Sequence, residues 1–362
     1  MKDTSVKKAE AILRHQLDMM WKQPEKAGRI PPLMIWGPPG IGKSTFIRNL
    51  CEELDIGFID IRLAQREPVD IRGLPVPRDD GQGIDWIVSS DWPREDQEGT
   101  PAKGIILFDE LTAADSTLQV AAYEFILDRR LGQLYKVPDG WYIVAAGNRS
   151  SDAAVVRTMS SALANRFCHL ELRADSASWI EWALINNIDH RVIGFIRYMP
   201  QRIFSMAGNK ERGWPSPRSW ERVAMELEMA NENNLDNDLL NIIVEGLIGE
   251  AATIEFMGYL QWSEKIPDVI KMLDGEIKAE VPERPDQRYA MASAIVHNIR
   301  QHEHPETLLN GLFDVLLKFP NDWIQLIHHD LSLSMDNDGK DKFLIEFFDH
   351  SRHIELEGKI LL

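Results

Sequence analysis

The sequence predicts an α/β fold in which a parallel sheet with helices on both faces precedes a helical C-terminal region. Residues 105–108 and 142–146 are continuous apolar runs, which are typical of parallel strands buried on both faces. Residues 33–36 form a third apolar run, followed by a glycine-rich turn and an amphipathic helix pattern. Beyond residue 175 the strand patterns stop and helical spacing of apolar residues takes over. A separate helical part is therefore expected after the α/β part.

The length and charge of the chain limit its organisation. A chain of 362 residues is longer than one hydrophobic core usually supports. We expect a core at 1–174 with an insertion at about 64–103, a helical domain at 175–264 and a helical extension at 265–362. The formal net charge of −17 argues against general attraction to nucleic acid or anionic lipid. Without a leader-like N-terminus or an apolar stretch of about 18 residues, a cytoplasmic protein with no membrane insertion is expected.

The N-terminal part supplies a helix, a second strand and the insertion. Apolar residues at helical spacing predict a helix over about residues 4–20 that packs on the core. An alternating pattern predicts a strand over residues 58–63. The insertion is rich in Pro, Gly and Asp, and we interpret it as loops with a hairpin around residues 84–88. Its tryptophans, Trp86 and Trp92, either face a partner or anchor the hairpin.

The remaining elements of the core follow in order. A buried strand is expected over residues 104–110, with Thr112 as the N-cap of the next helix. A hairpin over residues 131–140 leads into another apolar strand at 141–146. The core is expected to close with a short helix at 160–164 and a strand at 167–172.

The stretch from Gly37 to Ser44 matches the phosphate-binding pattern G-x-x-x-x-G-K-[ST] without a mismatch. Backbone N–H groups of such a turn converge on phosphate oxygens, and the N-terminus of the following helix adds a favourable dipole. Lys43 is expected to reach the terminal phosphates and the Ser44 hydroxyl to ligate Mg²⁺. The predicted ATP contacts are the motif and its neighbour: Gly37, Pro38, Pro39, Gly40, Ile41, Gly42, Lys43, Ser44 and Thr45.

Three polar residues follow the ends of two predicted strands, where ligands bind in open α/β sheets. Asp109 is expected to hold Mg²⁺ together with Ser44, and Glu110 to orient and deprotonate an attacking water. Asn148 is expected to help position that water through its amide. An acidic turn and a turn asparagine are the plain alternatives. The complete phosphate-binding motif upstream favours hydrolysis of a nucleoside triphosphate.

Together these motifs resemble those of the AAA+ ATPases over about residues 30–225. The glycine-rich turn, the Asp109-Glu110 pair and the strand end at Asn148 are similar to the Walker A, Walker B and sensor 1 motifs. The stretch Glu67-Pro68-Val69-Asp70-Ile71-Arg72-Gly73 is most similar to the MoxR branch, in which an insertion is expected here. The resemblance implies a P-loop NTPase sheet followed by a helical lid. It also implies a homo-oligomeric ring, commonly a hexamer.

The resemblance further implies roles for two arginines. Arg218 follows Ser216 and Pro217, which we expect to be the N-cap and first residue of a helix. Its position is similar to that of sensor 2, which reaches the γ-phosphate from the lid. Arg166 matches the arginine finger, which acts on the nucleotide of a neighbouring subunit. A solvated arginine and helix-dipole pairing are the respective alternatives. Further candidates for the finger are Arg149 and Arg157.

The favoured function is an ATP-hydrolysing machine that remodels or activates a partner protein. A protein client or adaptor is expected, and von Willebrand A domain proteins often partner the MoxR branch. The chain itself spells D-x-S-x-S from Asp330, but too little chain remains to build that domain. One alternative is a nucleic-acid-directed motor or loader, which the acidic insertion argues against. Another is a nucleotide-dependent scaffold with weak hydrolysis, which Glu110 argues against.

Few other residues suggest metal or redox chemistry. Cys51 and Cys168 lie in apolar segments and predict buried thiols. The paired histidines have no metal-binding partner cluster, so we expect solvated side chains at His302, His304, His328 and His329.

Overall fold

The computed structural model describes residues 3–95, 98–152, 157, 159, 161–206 and 212–360. The chain divides into two compact units, Met1–Ala174 and Asp175–Leu362. The strands, all in the first unit, are β1 (Asp3–Thr4), β2 (Leu33–Trp36), β3 (Gly57–Arg62), β4 (Leu74–Pro77), β5 (Ile84–Ile87), β6 (Gly104–Asp109), β7 (Arg130–Leu131), β8 (Tyr135–Lys136), β9 (Trp141–Gly147) and β10 (Cys168–Leu172). The helices of this unit are α1 (Val6–Lys22), α2 (Lys43–Glu53), α3 (Pro68–Arg72), α4 (Ser116–Asp128) and α5 (Ser161–Ala164). The predicted start of α5 at Ser160 lies outside the described residues.

The main sheet has the order β1-β10-β2-β9-β6-β3, and every neighbouring pair is parallel. Trp36 at the end of β2 is in register with Gly147 at the end of β9, and Phe108 near the end of β6 is in register with Ala145. The carboxyl ends of these three strands therefore lie at one edge of the sheet. The predicted fold class, a parallel sheet core followed by a helical region, is confirmed.

Both faces of the sheet are buried. All four apolar residues of β6 from Ile105 to Phe108 are fully buried, as the uninterrupted apolar run predicts. On one face, Phe108 packs against Phe125 of α4, and Trp92 lies 4.3 Å from Phe125 between ring centroids. Trp92 therefore anchors the insertion in the core, whereas Trp86 is 45% exposed on the hairpin β4–β5. Trp92 thus has the predicted anchoring role, whereas a partner-facing role for Trp86 stays a prediction.

The predicted cap of α4 is wrong. The helix starts at Ser116, and the Asp115 carboxylate caps it by accepting bonds from the Thr117 and Leu118 N–H groups at 2.8 and 2.9 Å. Thr112 lies earlier, in the turn after β6, and its buried hydroxyl is bonded elsewhere. Six residues therefore separate β6 from α4.

Helices make up the second unit. They are α6 (Ser176–Ile185), α7 (His190–Tyr198), α8 (Pro217–Asn233), α9 (Asn237–Ile248), α10 (Glu250–Ser263), α11 (Val269–Leu273), α12 (Pro285–Gln301), α13 (Leu309–Leu316), α14 (Asn321–Asn337), α15 (Asp341–Asp349) and α16 (His353–Ile360). Helix α12 packs on α7 and α10, so elements from both sides of residue 264 share one unit. A functional division into lid and extension stays a proposal.

The D-x-S-x-S stretch lies within α14, where Asp330 forms a buried ion pair with Arg197 at 2.6 Å.

The described residues include neither a membrane-spanning helix nor a metal-binding cluster. No helix among them is long and apolar enough to cross a membrane. No cluster of three or more His, Cys, Asp or Glu side chains in the same part of the chain could hold a metal ion.

Cys51 is buried as expected, and burial raises the pKa of its thiol to about 12, whereas Cys168 is only partly buried. His328 is partly buried against Phe347 and Phe348, so the expectation that it is solvated is wrong.

Candidate functional site

The glycine-rich turn connects the carboxyl end of β2 to the first residue of α2. Gly40 and Gly42 have φ of 81° and 91°, in the left-handed region that favours glycine. Gly42 is the N-cap of α2 and has no side chain to bond the first-turn N–H groups. The N–H groups of a helix's first turn have no intrahelical acceptor, and together with the helix dipole they attract an anion. The turn is therefore shaped to receive phosphate oxygens.

Lys43 joins this turn to the end of β9. Its Nζ donates to the carbonyl oxygens of Gly37 and Pro38 at 2.6 and 3.0 Å, and to Asn148 Oδ1 at 2.9 Å. The side chain is only 9% exposed, and a buried ammonium group needs such partners because burial removes its hydration. These three acceptors are neutral oxygens, so a phosphate oxygen would be a stronger partner for the same charge.

Ser44 and Asp109 bring α2 and β6 together. Ser44 Oγ donates to Asp109 Oδ2 at 2.5 Å, and Asp109 Oδ1 accepts from the Glu110 N–H at 2.8 Å. A hydroxyl and a carboxylate beside a phosphate-binding turn are the oxygen ligands that Mg²⁺ prefers. These two residues therefore fit a magnesium ion. When bound, the ion would supply positive charge beside the phosphate oxygens.

Glu110 has an unusual backbone. Its φ is 56°, which non-glycine residues adopt uncommonly and at some cost in backbone energy. Its carbonyl oxygen accepts from the N–H groups of Ala113 and Ala114, which closes a turn directly after β6. Glu110 is exposed while the neighbouring Asp109 is partly buried. The turn therefore presents the carboxylate of Glu110 to water at the carboxyl edge of the sheet.

Thr112 is a site residue that the sequence did not reveal as such. Its Oγ1 accepts from the Asn148 N–H at 3.1 Å and donates to the Asn148 carbonyl oxygen at 3.3 Å. Thr112 is fully buried, and a Cβ at Gly147 would lie 2.7 Å from Oγ1. Thr112 thus fixes the backbone of Asn148, and the close approach requires glycine beside it. A single threonine before a helix carries no pattern that distinguishes this role from a cap.

Asp60 is a second residue that the sequence did not single out. It lies on β3 beside β6, with Arg48 Nη2 at 3.6 Å from Oδ2. Burial raises the pKa of its carboxyl, and the nearby charge of Asp109 raises it further. Its Oδ1 is buried without a hydrogen-bond partner among the described residues. A further carboxylate therefore lies in the electrostatic surroundings of the proposed magnesium ligand.

The candidate arginine fingers have different surroundings. Arg149 forms an ion pair with the buried Asp152 at 3.0 Å, and its hydrogen bonds to that carboxylate raise its pKa. Arg157 donates its backbone N–H to the Thr112 carbonyl oxygen at 2.8 Å and is exposed beside the chain's own site. Arg166 is exposed, and no ion pair to it occurs within the described part of the chain.

Arg166 also lies at the other edge of the sheet. It precedes β10 by two residues, and the first residue of β10, Cys168, is in register with Leu33, the first residue of β2. The phosphate-binding turn follows the last residue of β2. Four residues of extended strand span about 13 Å, so Arg166 and Lys43 lie at opposite ends of the strands.

Arg218 belongs to the second unit. It occupies the first turn of α8, where Ser216 is the N-cap and Pro217 the first helical residue, as predicted. Ser216 and Ser219 bond each other's backbone N–H groups in a capping box. Arg218 itself is exposed. Its contact with the nucleotide stays a prediction.

Comparison with known proteins shows which family part of the first unit resembles. Residues 33–169 match the model of the ATPase family associated with various cellular activities (AAA). The match begins at the first residue of β2 and ends within β10, so it includes the phosphate-binding turn, Asp109, Glu110 and Asn148. This segment of the chain is therefore similar to domains of the AAA ATPase family. No curated protein was found with significant sequence similarity to the chain.

Several solved structures are similar over most of their length. A protein of Cytophaga hutchinsonii named as a candidate ATPase is 14% identical, with 66% of this chain and 87% of that chain covered and a TM-score of 0.32. The RuvB Holliday junction branch migration motor of Thermotoga maritima is 16% identical, with 73% and 76% covered and a TM-score of 0.35. The FIGL-1 AAA domain in complex with ADP is 17% identical, with 71% and 87% covered and a TM-score of 0.36. Similarity at this level carries no functional argument.

Proposed function

We propose that this chain is an AAA+ ATPase that binds Mg·ATP at the carboxyl edge of its sheet and hydrolyses it. One observation carries the proposal: Lys43 Nζ is bonded to both the phosphate-binding turn and Asn148, while Ser44 of the same helix turn is bonded to Asp109. Side chains from three separate elements thus converge beside one helix N-terminus. This set combines a phosphate ligand, two magnesium ligands and a polar amide.

Each residue has a distinct part in the proposed reaction. Lys43 would exchange its carbonyl partners for phosphate oxygens, and Ser44 and Asp109 would hold the magnesium ion. Glu110 would accept a proton from water as the water oxygen bonds to the γ-phosphorus and ADP leaves. Asn148 would orient that water through its amide, with Thr112 holding its backbone. The exposed carboxylate of Glu110 supports its access to water.

Assembly into a ring would complete the site. We therefore propose that Arg166 serves a neighbouring subunit, because it is exposed at the sheet edge opposite its own phosphate-binding turn. Arg149 is already paired with Asp152, which makes it a weaker candidate. Arg218 would act as sensor 2. We propose six subunits for this ring, the number that is common in the family that the chain resembles.

The proposed task is remodelling or activation of a partner protein, as in the MoxR branch. The insertion supports a protein partner because its hairpin exposes Leu74, Ile84, Trp86 and Ile87. A surface that follows nucleic acid would instead need basic side chains among the aromatic ones. A von Willebrand A domain protein remains the family-based candidate for an adaptor.

Glu110→Gln tests the proposed hydrolysis. The variant keeps the shape of the side chain but removes the base, so it should bind Mg·ATP like the wild type and release phosphate at least about 100-fold more slowly. Isothermal calorimetry measures binding, and a phosphate-release assay measures turnover. Glu52→Gln is the matched control, since Glu52 is an exposed glutamate at the far end of α2. Binding without release in the wild type would instead favour the scaffold alternative.

A further inference from the structure

The hairpin β4–β5 has two chemically different edges. Strand β4 contains Pro75 and Pro77, which are in register with Trp86 and Ile84 of β5. Proline has no N–H group, so it cannot donate a bond to a neighbouring strand. We call the pairs Pro75–Trp86 and Pro77–Ile84 the two proline pairs.

The bond next to the turn fixes the direction of every backbone group in the hairpin. The Arg78 N–H donates to the Gly83 carbonyl oxygen at 3.0 Å, so this pair is hydrogen-bonded. Hydrogen-bonded and non-hydrogen-bonded pairs alternate along an antiparallel ladder. The two proline pairs lie one and three steps further from the turn, and both are therefore non-hydrogen-bonded. Their backbone groups point away from the ladder.

The outer edges of β4 and β5 therefore differ in the backbone groups that they offer to another strand. The outward nitrogens of β4 belong to prolines, so its outer edge offers no donor to another strand. The outward groups of β5 are the N–H and C=O groups of Ile84 and Trp86, which can both donate and accept. No third strand pairs with this edge among the described residues. One edge of the hairpin is thus closed and the other is open.

The open edge adjoins an apolar face. Pro75, Pro77, Ile84 and Trp86 share this face because partners in register project to the same side of a sheet. All four are exposed, and none is charged. The open edge ends at Val88, whose carbonyl oxygen accepts from Arg94 Nη2 at 3.5 Å.

We infer that the β5 edge binds an extended, apolar segment of a partner polypeptide as a third strand. Alternating N–H and C=O groups select an extended backbone, and the uncharged face selects apolar side chains on every second residue. Asp79 and Asp80 in the turn disfavour acidic residues at that end of the segment. This inference deepens the proposed function, and it rests on that function because it takes the partner to be a polypeptide. Binding at this edge requires no hydrolysis.

The probe is a fluorescein-labelled hexapeptide of alternating valine and threonine, acetylated and amidated at its ends. Binding to the full chain is measured by fluorescence anisotropy. The double variant Ile84→Pro/Trp86→Pro removes the outward donors of β5, whereas Ile84→Thr/Trp86→Thr removes the apolar side chains but keeps the donors. The proline variant should bind about tenfold more weakly than the threonine variant, because it loses two backbone bonds. Ile87→Thr, on the opposite face, should bind like the wild type.

Circular dichroism and calorimetric ATP binding on the same preparations show whether the variants fold. Equal affinity of the folded proline and threonine variants would overturn strand addition, and so would the absence of binding to the wild type at about 1 mM peptide. Wild-type self-association that the proline variant abolishes in sedimentation would make a second copy the occupant and overturn the inference. Phosphate release without peptide binding would refute this inference alone, whereas peptide binding without release would refute only the proposed hydrolysis.

Discussion

At the scale of single residues, Asn148 is held at both its backbone and its side chain. Thr112 Oγ1 bonds the backbone N–H and C=O of Asn148, and Lys43 Nζ bonds its side-chain oxygen. The position of the amide therefore depends on a hydroxyl that would not touch the nucleotide. Thr112 is a positioning residue in this account.

Thr112→Val tests that role. Valine has nearly the same shape but cannot accept the Asn148 N–H, and leaving a buried donor unpaired costs about 1–3 kcal/mol. We expect kcat to fall about tenfold while KM for ATP changes little, since the phosphate and magnesium ligands are untouched. Steady-state phosphate release measures both constants. Thr117→Val, at an exposed threonine of α4, is the control. An unchanged kcat in the folded Thr112→Val protein would remove Thr112 from the site.

At the scale of elements, α7 and α12 are held together partly by stacked histidines. The rings of His190 and His297 lie 4.5 Å apart between centroids. Burial lowers the pKa of His190 to about 4, although the nearby Asp189 opposes the shift and Arg191 adds to it. Burial also lowers the pKa of His297. The stack therefore requires neutral rings.

The stack predicts that the second unit loses stability in mild acid. Histidine in the unfolded state has a pKa of about 6.5. As the pH falls from about 6.5 to about 4, the unfolded state therefore binds more protons than the folded state, and the free energy of unfolding decreases. We expect a loss of about 1–3 kcal/mol in urea denaturation at pH about 4.5 relative to pH about 7. His190→Phe keeps the ring but cannot titrate, and should reduce this loss.

His304→Phe is the control for the stack, because His304 is an exposed histidine on the same unit. This variant should show the same pH dependence as the wild type. If His190→Phe and the wild type lose equal stability in acid, the stacked pair does not control the pH dependence of this unit.

Elements were predictable where one stretch of sequence decides them. The strand at β2 has the predicted bounds, and Lys43–Glu53 is helical behind a complete motif. The N-cap of α4 was wrongly predicted at Thr112 because Ser, Thr and Asp are all favoured N-cap residues. Which of them caps the helix depends on the turn that begins at Glu110, and this turn precedes the N-cap Asp115. The sequence also gave no sign of Asp60, since its surroundings come from the pairing of β3 with β6. Contacts between distant segments were the unpredictable part.

At the scale of the whole molecule, we expect one chain alone to leave the ATPase site incomplete. The proposed phosphate and magnesium ligands lie at the carboxyl edge of the sheet, whereas Arg166 is exposed before the amino end of β10. In a ring, Arg166 of one subunit would complete the site of the next. Arginine fingers supplied in this way are generally worth about 10³–10⁵ in rate.

Phosphate release from mixed subunits tests this claim most directly. Lys43→Ala subunits would have an inactive ATPase site and an intact arginine finger. Arg166→Ala subunits would have an intact ATPase site and no arginine finger. Each protein alone should be inactive, and mixing them should restore phosphate release at those interfaces where the two intact halves meet. Mass measurement of labelled subunits must show that exchange occurs. If subunits exchange and no release returns, the claim that Arg166 completes a neighbour's ATPase site is contradicted.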